Sequence, residues 1–318
     1  MRIVITGCAG FIGSQLASRL LDLGHSLAGI DNFDETLYPA ALHRSHLASL
    51  RDRSQFSFFE GDILDEGLLS QVLAGSDVVV HLAALAGVRP SLSQARRYMR
   101  VNVEGTQGLL DVCARAGVRR IVFASSSSVY GARSKVPFAE CDDVSAPASP
   151  YAASKRAGEL LCATHCHLHQ AAVCALRFFT VYGPHQRPEM AIAKFARLIL
   201  DGAPVPVFGR GDSARDYTYV DDILDGILGA IERTAQPVEP FRIYNLGGAQ
   251  TTSLTRLLQL LEAALGRAAD IRWLDEQPGD VPLTCADTSR SASELGYAPK
   301  VPMEEGIRRY CEWLKRQK

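Results

Sequence analysis

The opening of the chain constrains it most. Residues 2 to 6, Arg-Ile-Val-Ile-Thr, read as a short apolar, β-branched strand. Gly7-Cys-Ala-Gly10-Phe11-Ile12-Gly13 follows, and then Leu16, Leu20, Leu21 and Leu23 recur at helical spacing. Strand, glycine turn and helix in this order form a seat for a dinucleotide pyrophosphate. Gly7 permits the tight turn, Gly10 lets the backbone approach phosphate, and Gly13 lets helix and strand pack closely. Unpaired N–H groups at the helix start, around Phe11 and Ile12, face the anion. The spacing is G-x-x-G-x-x-G rather than the commoner G-x-G-x-x-G. A second strand ends at Ile30, and Asp31-Asn32 follows, with Asp31 18 positions past Gly13. A carboxylate there can accept both ribose hydroxyls of adenosine and repels a 2′-phosphate, which favours NAD over NADP. The competing role for Asp31 is that of a turn residue.

The alternation continues. Residues 56–60 read as a strand delivering Asp62 and Ile63 to the place an adenine would occupy. Residues 78–82 are an apolar strand leading into Leu82, Ala83 and Ala84, small enough to run against a cofactor. A long helix spans about 97–116 with Asn102 near its start. Residues 121–124 form the next strand, 151–169 a helix and 173–177 another strand. Repeated β-α units predict an α/β fold with a doubly wound parallel sheet and its ligand at the strand C-termini. After residue 180 the rhythm breaks into loops, short strands and amphipathic helices. We therefore expect a nucleotide-binding domain over 1–180, to which about 220–246 returns, and a smaller C-terminal α/β substrate domain over 181–318.

The strand at 121–124 ends in Ser125-Ser126-Ser127-Ser128-Val129-Tyr130-Gly131, and Tyr151-Ala-Ala-Ser-Lys155 follows. Tyrosine and lysine four apart project from one helical face. A free phenol titrates near 10, too high for a base at neutral pH, and a nearby ammonium favours the phenolate. Ser126 can share the proton being moved. Tyr-x-x-x-Lys alone is common and reads equally as a surface pair; the glycine turn upstream favours catalysis.

Composition excludes other classes. Lys and Arg total 34 against 35 Asp and Glu, so nothing argues for nucleic acid or an anionic membrane. No apolar run reaches transmembrane length, and no leader pattern opens the chain. Eight scattered cysteines without a paired framework suggest a reduced, cytoplasmic protein. Cys162, His165, Cys166 and His169 share a helix face but span roughly 10 Å at about 1.5 Å per residue. That is too long to surround one ion, so no metal is expected and a packing stripe is the better reading.

With the glycines, Asp31, the serine strand end and Tyr151/Lys155 in this order, the chain resembles the extended short-chain dehydrogenase/reductase superfamily over essentially its whole length. Residues 83–91, 125–131, 176–184, 187–191, 215–222 and 277–280 make it most similar to the nucleotide-sugar epimerases, and among them to those acting on UDP-glucuronate. The resemblance implies a Rossmann-type sheet, a bound NAD and 4-epimerisation of a UDP-sugar by transient oxidation at C4, with Ser126, Tyr151 and Lys155 as catalytic residues. It also implies Asn102 among the cofactor contacts and a homodimer formed through the helices at 97–116 and 151–169. A uronate carboxylate would meet the hydroxyls of Ser127, Ser128 and Thr180, with Arg187 adding charge. Arg215 would meet the diphosphate, Arg89 the sugar or phosphate, and Asp280 the uridine ribose. The serine turn carries no carboxylate of the kind dehydratases and decarboxylases place there. The alternatives are epimerisation of neutral UDP-sugars (UDP-glucose or its N-acetylated relative), decarboxylation of UDP-glucuronate, and a non-catalytic NAD sensor.

Overall fold

A computed structural model describes residues 1–318 except Ser134, 237–238, 276–282 and Lys318. Its centre is a seven-stranded sheet. In chain order six of the strands are β1 (Arg2–Thr6), β2 (Ser26–Asp31), β3 (Phe56–Glu60), β4 (Val78–His81), β5 (Arg120–Ser126) and β6 (Ala172–Phe178). The seventh, Phe241–Leu246, pairs parallel with β6, so the segment after 220 rejoins the sheet. The spatial order is Phe241–Leu246, β6, β5, β4, β1, β2, β3. All the pairings are parallel. The order reverses between β1 and β4, where an open α/β sheet leaves a crevice at its carboxyl edge.

Both faces are buried, and the strands show why. Ile3 and Ile5 pack into one core while Val4 faces the other, and Val78 and Val80 divide from Val79 in the same way. The first core takes Leu16 and Leu20 from α1 (Phe11–Asp22) and Ile223 and Ile227 from the helix Val220–Arg233. The second takes Leu69, Leu109 and Cys113. It also takes Cys162 and Cys166, so half of the Cys/His stripe is core packing.

The helix expected over 97–116 is interrupted. Ala95–Met99 and Gly105–Ala116 flank a wide π turn at Arg100–Glu104, which turns Asn102 inward. The next helix, Pro150–His169, starts where sequence signals place it. Ser149 Oγ accepts from Ala152 N at 3.1 Å, and proline occupies the first turn.

Beyond β6 the chain builds small paired ribbons. Thr180–Tyr182 pairs with Tyr217–Tyr219, Val205–Phe208 with Ile271–Leu274, and Ala214–Arg215 with Thr252–Ser253. The helices Ala191–Asp201, Leu254–Leu265 and Met303–Arg316 pack with them. Leu257, Leu261 and Tyr310 join the first core, so the C-terminal part shares its hydrophobic interior with the sheet.

Candidate active site

A cleft of about 450 Å³ opens at the carboxyl edge of the sheet. Its floor is the glycine turn. Gly7 has φ +72°, and a Cβ there would stand 2.8 Å from Ala83 N. A Cβ on Gly13 would fall 2.1 Å from the Gly7 carbonyl oxygen. Gly10 differs: its Cβ would meet only that carbonyl, at 3.2 Å, and would otherwise stand in open space. Gly10 caps α1 without a side-chain hydrogen bond, so Phe11 and Ile12 line the cleft beside uncapped first-turn amides. A cradle that one methyl would obstruct, at an uncapped helix start, fits a pyrophosphate.

Asp31 lies at the end of β2, buried. Its Oδ2 accepts from Ala9 N and its Oδ1 from Phe33 N, both at 2.9 Å. Burial pushes its pKa up, and these amides oppose the shift. Each oxygen keeps acceptor capacity for a hydroxyl. Asn32 Nδ2 donates to Asp62 Oδ2 at 2.8 Å, which ties the ends of β2 and β3 together beside Ile63. Leu82, Ala83 and Ala84 line the opposite wall. Thr6 Oγ1 accepts from Ala83 N at 3.2 Å and bonds His81 Nδ1 at 2.7 Å; His81 Nε2 reaches Thr106 Oγ1 at 3.1 Å. Burial drives His81 to a pKa of about 3, so it stays neutral.

Asn102, expected among the cofactor contacts, is not among the residues that line this cleft. It is buried and bonds both backbone groups of Leu85, at 2.8 and 2.9 Å, and Ser154 Oγ at 2.9 Å. It shapes the cleft through the 83–88 loop.

Ser126, Ser127, Ser128, Tyr151, Lys155, Thr180 and Arg187 all line the cleft. β5 and β6 are neighbours in register, which brings the serine turn beside Thr180. Ser126 caps the turn, accepting from Ser128 N at 3.1 Å. Ser125 is drawn away: its Oγ donates to Glu159 Oε1 at 2.6 Å, and Glu159 takes Arg177 in a two-point pair.

The electrostatics differ from the simple tyrosine–lysine expectation. Lys155 is buried, and its Nζ donates to the Ala124 carbonyl at 2.7 Å. Desolvation lowers its pKa to about 8. Tyr151 is pushed above the ordinary phenol value by burial. The groups that oppose this are the Ser126 hydroxyl and the Arg187 charge. In the protein alone burial therefore outweighs nearby charge at the phenol.

Arg187 pairs with Glu189 at 3.3 Å and donates to Met190 Sδ at 3.2 Å. Its Nη1 is buried and has no hydrogen-bond partner among the described residues. Arg89 and Arg215 are not in this cleft. They line a second cavity of about 330 Å³ with Lys194, and it joins the first at Thr180, Val181 and Met190. Asp280 and the rest of 277–280 lie outside the described residues. Sequence reasoning missed Tyr38 and His43 in the first cleft and Lys194 in the second, because no local pattern marks them.

Residues 3–247 match the family model described as the NAD dependent epimerase/dehydratase family. The chain is 37% identical over 330 residues to a probable UDP-glucuronate 4-epimerase of Rhizobium meliloti, covering 98% of this chain and 96% of that one. It is 37% identical over 315 residues to a UDP-glucuronate 4-epimerase of Thermodesulfobacterium geofontis, covering 98% and 95%. Among solved structures, the UDP-glucuronic acid 4-epimerase of Bacillus cereus, in complex with UDP-glucuronic acid and NAD, superposes with a TM-score of 0.92 at 35% identity, covering 100% of both chains. With the glycine cradle, the buried Asp31 and the Ser126/Tyr151/Lys155 cluster in one cleft, the chain belongs to the NAD-dependent epimerase/dehydratase family.

Proposed function

We propose that this chain is an NAD-dependent 4-epimerase that interconverts UDP-glucuronate and UDP-galacturonate. The observation that carries the choice of sugar is that Ser127, Ser128, Thr180 and Arg187 line the same cleft as Tyr151. Three hydroxyl donors and a guanidinium with an open, buried N–H match a carboxylate.

The glycine turn and Asp31 would hold the dinucleotide, which when bound supplies a hydride acceptor and donor at C4. Lys155 spends one of its three protons on Ala124 and keeps two for the nicotinamide ribose. Tyr151 would take the proton of the C4 hydroxyl as a phenolate, the form that the Ser126 hydroxyl and the Arg187 charge favour against burial, with Ser126 sharing the proton, and would return it after the 4-keto sugar has turned over. Arg89, Arg215 and Lys194 in the adjoining cavity suit a diphosphate, and Asp280 the uridine ribose. The sugar ring would then sit at Thr180, where the two cavities meet.

A 4-keto uronate is a β-keto acid and loses carbon dioxide readily. The hydroxyl-only turn holds its carboxylate without a neighbouring acid to promote that loss. We further propose a homodimer through the helices around 95–116 and 150–169, which expose Met99, Leu160 and Leu168. A reducing compartment such as the cytoplasm suits the free cysteines. Among the described residues no helix is long and apolar enough to cross a membrane.

Proton NMR of the purified protein with UDP-glucuronate tests this reading, without and then with added NAD. UDP-galacturonate is the expected product. A UDP-pentose would overturn the reading of the serine turn, and turnover of UDP-glucose alone would overturn the choice of sugar.

A further inference from the structure

His43 lies on the short helix Ala40–His46 and is only 8% exposed. Its ring is parallel to that of Tyr38, with centroids 4.1 Å apart and planes within 5°, and Phe33 meets its edge at 6.4 Å. The imidazole is thus held in plane by two aromatic neighbours. It lines the dinucleotide cleft together with Asp31 and Tyr38.

Neither ring nitrogen completes a hydrogen bond. The nearby backbone of Asp34 favours the protonated ring. Two other buried histidines are engaged, His81 with two threonines and His46 Nδ1 with the Ala9 carbonyl at 3.0 Å, whereas His165 leaves only its Nε2 open and lies away from the cleft. A buried imidazole left open costs stability unless a ligand completes it. The charged and titratable groups facing it are Asp31, Asp34 and Glu35, with His46 on the same helix. Burial outweighs the three carboxylates and favours the neutral ring. A neutral imidazole offers one N–H and one lone pair.

That pair of functions is what Asp31 lacks. Its carboxylate only accepts, and each oxygen already takes one backbone amide. A vicinal diol presents two protons and two oxygens that can accept, so Asp31 alone leaves part of it unmet. We propose that His43 is a second hydrogen-bonding residue for the adenosine ribose diol of the dinucleotide, sharing it with Asp31. This rests on the reading that the dinucleotide occupies the cleft.

The test is equilibrium binding by calorimetry to protein stripped of nucleotide. The ligands are NAD and its analogues lacking the adenosine 2′- or 3′-hydroxyl. The proteins are wild type, His43→Phe, which keeps the stack on Tyr38 but has no nitrogen, and His43→Gln, which restores a donor and an acceptor. His43→Phe is expected to weaken NAD binding about five- to tenfold, and His43→Gln to recover part of that. For one of the two analogues the wild-type to His43→Phe ratio should fall below about two, because the shared hydroxyl is already gone. Equal affinity of His43→Phe and wild type for NAD would overturn the inference. So would the same penalty for all three ligands. Wild-type protein that binds no dinucleotide would overturn the cleft reading as well, which separates the two failures. If His43→Phe does not fold, as judged by circular dichroism, His43→Ala takes its place and the same ratios decide.

Discussion

The ammonium of Lys155 is bonded to the carbonyl of Ala124 across 2.7 Å, on β5 immediately before the serines. The side chain is 5% exposed and its pKa is lowered from 10.5 to about 8. Between those values the unfolded chain holds more protons than the folded one, so stability rises with pH through that window. The gain is on the order of 2–3 kcal/mol. Urea denaturation of nucleotide-free protein at pH 7.5 and 10 should show wild type gaining on Lys155→Met by that amount. A constant difference would mean that Lys155 is not held back from protonation in the fold.

Tyr151→Phe removes the proton acceptor and little else. Turnover of UDP-glucuronate should fall by about 10²–10⁴-fold. Dinucleotide binding should stay within about threefold of wild type, because Asp31 and the glycine turn are untouched. Single-turnover rates and calorimetry on the same preparation separate the two effects.

Arg187→Gln should discriminate between sugars. A hydrogen bond to a charged group contributes about 1.5–3 kcal/mol. The kcat/KM for UDP-glucuronate should therefore drop tenfold or more, while any turnover of UDP-glucose changes little. Equal losses on both substrates would place Arg187 in loop architecture instead.

Glu159 is fully buried and takes Arg177 Nε at 2.8 Å and Nη2 at 2.9 Å, besides Ser125 and Arg156. Arg177 in turn lies over the Tyr130 ring at 4.7 Å, and Tyr130 OH donates to Asn245 Oδ1 at 2.7 Å. This network ties the serine turn to two strand ends. Glu159→Gln leaves Arg177 buried and unneutralised, so a loss of about 3–5 kcal/mol is expected in chemical denaturation. Its carboxyl pKa is lowered in the fold, so its contribution is present above the ordinary carboxylate range and fades as pH falls through the lowered value.

Gly13→Ala places a Cβ 2.1 Å from the Gly7 carbonyl oxygen and 2.9 Å from Cys8 Cα, both backbone. Neither can move without opening the turn. The expected cost is about 1–3 kcal/mol of stability and at least a tenfold loss of NAD affinity, read by thermal melts with and without NAD.

Sequence alone determined the elements whose causes are local. The apolar runs of β1 and β4, the glycine turn after β1 and the capped start of the helix at Pro150 each depend on residues within a few positions. Asp31 could be placed because a β-α-β unit has a fixed length. Tertiary structure decided the rest. Asn102 sits in a π turn and serves the backbone of Leu85, which no periodicity reveals. Tyr151 is raised and Lys155 lowered because desolvation depends on what surrounds a group, and four-residue spacing on a helix does not report that. Arg89 and Arg215, 126 positions apart in the chain, share a cavity distinct from that of Arg187. His43 stacks on Tyr38 and lines the cleft with Asp31. Local propensity is carried by neighbouring residues, whereas burial, partner choice and cavity shape arise only when distant segments meet.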